Sequence, residues 1–113
     1  MDPIYHLVEP AVWEANPVAD YAVASLDSEG FIHCAFAHQV AKAANRFYAA
    51  APALRVVQLD PARLTSPLRV ERPSPTSTSA ESYPHVYGPI QRAAVVKVHV
   101  LTRDGGGRWV FPG

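Results

Sequence analysis

Five histidines supply most of the side chains in this sequence that could move a proton or bind a ligand near neutral pH. Four of them lie in or beside segments whose composition predicts short strands: His6, His33, His85 and His99. His38 lies near the start of a predicted helix and is expected in solvent. A histidine taken alone is more often an ordinary polar residue that donates to a carbonyl group, so its neighbours decide its interpretation.

His6 is the most informative of the five. It shares one face of a predicted strand with Ile4 and Val8, which are expected to be buried. A histidine on an otherwise apolar face must be hydrogen-bonded or line a cavity. His99 alternates with valines in a later strand, and its expected position is the solvent face.

His33 follows Gly30 closely, and glycine before a short strand permits close approach of backbone or ligand. Successive strand residues point to opposite faces, so His33 and Cys34 do not form a nucleophile and base pair. Cys34 is interpreted as a small core hydrophobe.

The segment Pro84-His85-Val86-Tyr87-Gly88-Pro89 carries two polar rings between rigid residues. Such a segment either presents His85 and Tyr87 to a site or forms a structured turn in which Tyr87 merely packs, and both interpretations stay open. Glu71, at the end of a predicted strand, is placed to reach the same pocket.

The sequence lacks the short motifs of several site classes. His6, His33 and His85 match no metal-ligand spacing, so we expect no metal. No helix is predicted after Gly105–Gly107, which is expected to form a flexible turn and not a phosphate cradle. No close pair of carboxylates indicates glycosidase-type chemistry.

The elements that must position these residues indicate an α+β fold with a small split or mixed, mainly antiparallel sheet and two helices. The predicted strands cover 4–8, 31–35, 54–59, 68–71 and 93–101, and the predicted helices cover 10–16 and 36–50. A capped turn is predicted at 60–64 and an irregular connection at 18–30. The Pro/Ser/Thr-rich segment 72–85 is predicted to be a flexible loop, and 103–113 a glycine-rich tail.

Composition limits the function classes. The 113 residues predict one domain, and 49% hydrophobic against 18% charged residues is typical of a globular protein. Ten basic residues balance ten acidic ones, so nucleic acid and anionic membranes are poor partners. The single cysteine, and the lack of a leader or of an apolar run of about 20 residues, predict a complete cytoplasmic protein. We expect a monomer or a weak homodimer.

Several segments together resemble a family of small bacterial proteins known only as domain of unknown function 952. The resemblance runs from about residue 3 to 101, and its motifs are 4–6, 29–34, 44–48, 60–64 and 84–89. That family is distantly similar to the ADP-ribosyltransferase fold, in the RNA 2′-phosphotransferase-like branch. The resemblance implies that His6 contacts the nicotinamide-side ribose of NAD and that His33 helps hold the nicotinamide half.

One departure from that fold concerns a carboxylate. Many of its transferases place a glutamate on a late strand, whereas the corresponding segment here offers His85 and Tyr87. Without the carboxylate, stabilisation of a developing cation is weaker, which favours the phosphotransferase-like branch. That branch carries basic residues for a phosphate, and the available ones are Arg46, Arg63, Arg69 and Arg72.

Three functional hypotheses follow. The first is an enzyme of ADP-ribosyl- or phosphotransferase type that binds NAD or an ADP-ribose-like nucleotide, under a lid formed by residues 72–85. Its catalytic residues would be His6, His33 and Tyr87, and its substrate-binding residues His85, Arg46 and Glu71. The second is a non-catalytic ligand-binding or accessory domain. The third is an interaction module that docks through the Trp109-Val110-Phe111 tail.

Overall fold

The computed structural model describes residues 2–15, 20–72 and 81–111. Its strands are β1 (Ile4–Val8), β2 (Ile32–His33), β3 (Arg55–Leu59), β4 (Leu68–Glu71), β5 (Tyr83–Val86), β6 (Val95–Val100), β7 (Thr102–Arg103) and β8 (Trp109–Val110). Its α-helices are α1 (Pro10–Glu14), α2 (Ala24–Glu29) and α3 (Val40–Phe47). Single 3₁₀ turns cover Ala37–Gln39, Pro61–Arg63 and Arg92–Ala94.

The strands form two antiparallel three-stranded sheets, ordered β1-β3-β6 and β2-β5-β4, and a β7-β8 hairpin. Two backbone hydrogen bonds of 2.8 and 2.7 Å between Tyr5 and Ala35 connect β1 to the chain that leaves β2. The predicted α+β class with antiparallel pairing is confirmed. β3 is central, as its apolar sequence predicts.

The alternation of β1 divides the core into two clusters. Ile4 and Val8 pack in one cluster, while Tyr5 and Leu7 pack in the other. Because every side chain of β1 is buried, β1 lies between the two clusters. His6 points with Ile4 and Val8 and is itself buried, as the pattern predicts.

Residues 18–30 were expected to be irregular, and this was wrong for its second half, where α2 forms. The helix has no side-chain hydrogen bond at its N-cap and spans 6 residues, so it lacks the usual start signal. It ends at Gly30, whose left-handed φ of 85° lets its N–H reach the carbonyl groups of Ser25 and Leu26. The fold therefore has three short α-helices among its described residues, not two.

The predicted helix 36–50 is shorter and changes type. A 3₁₀ turn precedes α3, and the Gln39 side chain accepts from the Phe36 N–H at 3.0 Å. Each residue of a 3₁₀ helix advances about 120° around the helix axis, and each residue of an α-helix about 100°. A prediction that assumes one α-helix from residue 36 onward therefore assigns later residues to the wrong face. Phe47, predicted on the apolar face, is 65% exposed.

The flexible loop predicted over residues 72–85 was wrong at its C-terminal end. β5 begins at Tyr83 and is the central strand of its sheet, although proline normally avoids such positions. Pro84 is buried there, and its carbonyl accepts the Cys34 N–H at 3.0 Å. The expected flexibility and lid function fall largely on residues 73–80, which lie outside the described residues.

The segment 103–113 was expected to be a tail, but its described residues, which end at Phe111, complete the β7-β8 hairpin, with the glycine-rich turn between Asp104 and Arg108. Trp109 is buried in the second core cluster, and its Nε1 donates to the Tyr48 carbonyl at 2.8 Å. The Trp109 ring therefore covers the protein's own core. His99 is partly buried against Phe111, with ring centroids 5.3 Å apart, so its expected place in solvent was wrong.

Candidate functional site

A cavity of about 720 Å³ opens beside β1 and α3. Three histidines that are distant in sequence line it: His6, His33 and His85. The apolar part of its wall includes Leu7, Val8, Val12, Val23, Ala35, Ala43 and Phe47. Arg46 and Glu9 bring one positive and one negative charge to the wall. The fold thus gathers the histidines of β1, β2 and β5 around one space.

His6 uses both of its ring nitrogens inside the protein. Its Nδ1 lies 2.7 Å from the His33 carbonyl oxygen, which can only accept, so Nδ1 carries the proton. Its Nε2 then accepts from the Tyr21 hydroxyl at 2.9 Å. Burial lowers the pKa of His6 to about 4, so the ring is neutral at physiological pH. His6 therefore fixes Tyr21 and the backbone of β2 at the cavity wall.

His33 lies at the exposed side of the cavity. Its Nε2 donates to the Glu29 carboxylate at 2.6 Å, and its side chain is 48% exposed. Glu29 ends α2, so the short helix missed from the sequence supplies the partner of this histidine. The position is reachable from solvent, as contact with a ligand requires.

His85 is the most deeply buried of the three histidines, at 1% exposure. Its Nδ1 donates to Glu71 Oε1 at 2.9 Å, and the Tyr87 hydroxyl donates to the same oxygen. Both hydrogen bonds lower the pKa of Glu71, and the one from Tyr87 has the larger effect. The carboxyl group of Glu71 is therefore ionised at neutral pH. Neither Glu71 nor Tyr87 is among the described residues that line the cavity.

Two side chains that line the cavity each carry one buried polar atom without a hydrogen-bond partner among the described residues. The two atoms are His85 Nε2 and Ser25 Oγ. Phe31 stacks on the His85 ring with centroids 4.0 Å apart and planes 13° from parallel, which fixes the ring plane. An unpaired buried polar group costs about 1–3 kcal/mol, so these atoms mark a wall that suits a polar ligand.

Of the four candidate arginines, Arg46 is the one that lines the cavity. Its guanidinium carbon lies 5.3 Å from the Phe47 ring centroid. Arg63 pairs with Asp60 at 3.5 Å, and Arg69 lies over the Tyr87 ring at 4.9 Å. Arg72 is exposed beyond β4 and does not line the cavity. Arg46 is therefore the arginine placed to meet a bound anion.

Four site residues received no role from the sequence: Tyr21, Ser25, Glu29 and Phe31. Tyr21 and Ser25 lie in the stretch expected to be irregular, so no pattern marked them. Glu29 ends α2 and His33 lies beyond that helix in β2, so the helical spacing rule for residues four apart gave no signal for their hydrogen bond. Phe31 offered a signal as the aromatic residue two positions before a strand histidine.

Two negative findings apply to residues 2–15, 20–72 and 81–111. No three His, Cys, Asp or Glu side chains lie close enough together to hold a metal ion. No helix has both the length and the apolar character that a bilayer crossing needs. Cys34 is buried in the first core cluster, as predicted, and burial raises the pKa of its thiol.

Comparisons with known proteins support the fold. The family model described as "Protein of unknown function (DUF952)" matches residues 7–98. A crystal structure of protein CC0527 from Caulobacter crescentus superposes with a TM-score of 0.81 at 23% identity, over 96% of this chain and 93% of that one. Its solution NMR structure gives 0.71 at 22% identity, over 96% and 91%. None of the curated proteins compared with the chain matches it.

Proposed function

Because the chain belongs to the DUF952 family, whose description carries no activity, we propose from the cavity itself that the protein binds a ribose-containing nucleotide, with NAD and ADP-ribose as the candidates. The observation that carries this proposal is the convergence of His6, His33 and His85 on one cavity of about 720 Å³. Small-molecule and cofactor sites occupy about 300–1,000 Å³ and combine apolar walls with a few polar groups. The cavity meets both criteria.

Different parts of the cavity wall suit different parts of a nucleotide. Histidine nitrogens pair with the hydroxyl groups of a ribose, and the Arg46 guanidinium suits a phosphate. The aromatic and aliphatic wall that includes Phe47 and Val23 suits the flat face of a base or of nicotinamide. A nucleotide presents these three kinds of surface in one molecule.

The proposal extends to group transfer at the ribose, of ADP-ribosyl- or phosphotransferase type. His33 is the exposed imidazole that can touch the ligand, while His6 holds the wall behind it. Tyr87 acts through Glu71, since its hydroxyl donates to that carboxylate and it does not line the cavity.

A non-catalytic ligand-binding domain is the second candidate, and one observation favours it. The carboxylate that lines the cavity is that of Glu9, an exposed residue, whereas Glu71 is engaged by His85 and Tyr87. A transferase that stabilises a developing cation needs a carboxylate aimed at the reacting carbon. Binding without turnover agrees with a cavity in which, among the described lining residues, Glu9 is the one carboxylate.

Calorimetric titration and thermal unfolding with NAD, ADP-ribose and a 2′-phosphorylated nucleotide test the proposal. A ligand that binds only the folded protein stabilises it by about 2.7 kcal/mol at a hundredfold excess over its Kd. We expect binding in the wild type and in His38→Ala, whose exposed ring lies outside the cavity wall, and loss of binding in His33→Ala. His6→Ala is a poor probe because it leaves the Tyr21 hydroxyl unpaired.

The absence of binding by every member of the panel would refute the proposed function. Chromatography of the incubated nucleotides separates the two candidates: release of nicotinamide or phosphate shows that the bond breaks and the group passes to water as the acceptor, and an unchanged nucleotide shows binding alone.

A further inference from the structure

The hydrogen bond between Glu71 and His85 determines which nitrogen of His85 carries the proton. Glu71 is ionised and already accepts from Tyr87, so it has no proton to give. Nδ1 of His85 must therefore be the donor, and in the neutral ring Nε2 carries a lone pair. A carboxylate that holds a histidine in one tautomer and one orientation leaves the far nitrogen as the reactive one.

That far nitrogen is the one without a partner. His85 lines the cavity, is 1% exposed, and its Nε2 meets no hydrogen-bond donor among the described residues. The stacked Phe31 ring prevents the imidazole from turning freely. A fixed, buried and unpaired acceptor costs stability, which a donor supplied by a ligand would restore.

We propose that His85 Nε2 is the hydrogen-bond acceptor for a hydroxyl group of the ligand in the cavity, and that Glu71 is the positioning residue that fixes the required tautomer. The inference deepens the proposed function and rests on it, since the ribose supplies the hydroxyl. This contact also orients the ligand. The lone pair on Nε2 accepts a hydrogen bond from a hydroxyl group and repels a phosphate oxygen, so the ribose lies toward His85 and the phosphate toward Arg46.

The ring of His33 packs edge-on against His85, with centroids 5.4 Å apart, and it is half exposed. Its hydrogen bond to Glu29 lies at the protein surface, where such contacts contribute little to stability. A turn of the His33 ring from Glu29 toward the ligand therefore opens the path to Nε2 and lets both imidazoles contact the same ribose, while Glu71, Phe31 and His85 stay in place.

The tautomer is measured first, without any ligand, from the ¹⁵N shifts of the His85 ring at pH 7.5. We expect a protonated Nδ1 and an unprotonated Nε2 in the wild type. In Glu71→Gln, where the side chain can donate as well as accept, we expect the fraction protonated at Nδ1 to fall. A wild-type ring protonated at Nε2 overturns the inference, and an unchanged tautomer in Glu71→Gln removes the positioning role of Glu71.

Binding is measured next, with ADP-ribose as the probe. His85→Asn keeps an amide at the place of Nδ1 that can donate to Glu71 but loses the Nε2 acceptor, whereas His85→Gln keeps a polar group near the place of Nε2. We expect His85→Asn to weaken binding by about tenfold or more, and His85→Gln to weaken it less. His38→Asn, away from the cavity wall, is the control and should bind as the wild type does.

The outcomes separate the inference from the proposed function. Unchanged ADP-ribose affinity in His85→Asn overturns the inference and leaves nucleotide binding standing. If the wild type does not bind ADP-ribose, the proposed function fails, and titration with ribose 5-phosphate decides the inference. A shift of the Nε2 resonance by ribose 5-phosphate then supports it, and an unmoved resonance overturns it.

Discussion

His33 and His85 are directly paired residues on the antiparallel strands β2 and β5, and their rings lie 5.4 Å apart in an edge-to-face arrangement. Each ring donates to its own carboxylate, His33 to Glu29 and His85 to Glu71. One ring is half exposed and the other is buried. The pairing therefore places two imidazoles of different accessibility side by side, one at the surface and one behind it.

His6 should make the protein less stable below pH 6.5. Its pKa is about 4 when folded, below its ordinary value of 6.5, so between these values the unfolded chain binds a proton that the folded chain does not. Its contribution is complete above pH 6.5 and is lost as the pH falls toward 4. Urea unfolding should show the wild type losing about 2 kcal/mol more than His6→Gln between pH 7 and 5. Equal losses in the two proteins would contradict the buried, neutral His6.

Tyr21→Phe should destabilise the fold by about 1–3 kcal/mol, because it leaves the buried His6 Nε2 without its donor. The ring itself, which packs against Trp13 with centroids 4.8 Å apart, is retained. Tyr48→Phe is the matched control, since its hydroxyl makes only a 3.4 Å contact to the Leu7 carbonyl. Chemical unfolding at pH 7 measures both, and similar losses would argue against a special role for the Tyr21 hydroxyl.

Gly88→Ala should destabilise the protein by about 2–4 kcal/mol. Gly88 has a φ of 155°, and an added Cβ would meet the side-chain oxygen of Ser66 and lie 2.9 Å from its Cβ. Gly30→Ala, at a φ of 85° with open space around it, should cost about 1 kcal/mol from backbone strain alone. Ser66→Gly combined with Gly88→Ala should recover part of the loss in thermal unfolding. If it recovers none, the steric contact is not the cause.

Arg46→Gln should weaken ADP-ribose binding by about tenfold or more while leaving adenosine binding unchanged, because the guanidinium in the cavity wall meets the phosphates. Arg63→Gln is the control, since Arg63 pairs with Asp60 and does not line the cavity. Calorimetry at two salt concentrations measures the electrostatic contribution to the binding of ADP-ribose. Equal effects of the two substitutions would place the phosphate elsewhere.

The local sequence pattern predicted an element correctly where a single periodicity of apolar residues ran through it. β1, β3 and β4 follow the predicted ranges within one residue, and Asp60 caps its turn by accepting the Ala62 N–H at 3.0 Å. Pattern failed where tertiary contacts override propensity. Pro84 occupies a central strand, and α2 forms without a capping side chain. The change from a 3₁₀ turn to α3 rotated the later faces of that helix.

The sequence indicated that His6, His33 and His85 belong together, and the structure places all three at one cavity. It could not show how each nitrogen is used, because that depends on partners that are distant in sequence, such as Tyr21 for His6. It also placed Glu71 at the ligand, whereas the carboxylate contacts His85 and Tyr87. The type of a residue predicts its chemistry, but pairing across strands determines which atom remains available.

The link between Tyr5 and Ala35 has a mechanical consequence. Its two hydrogen bonds connect β1 to the chain leaving β2, Ala35 lines the cavity, and Tyr5 is the immediate neighbour of the cavity residue His6. A change in the angle between the two sheets must therefore strain this pair. Amide exchange at Tyr5 and Ala35 would then report how far the protein opens around whatever occupies the cavity.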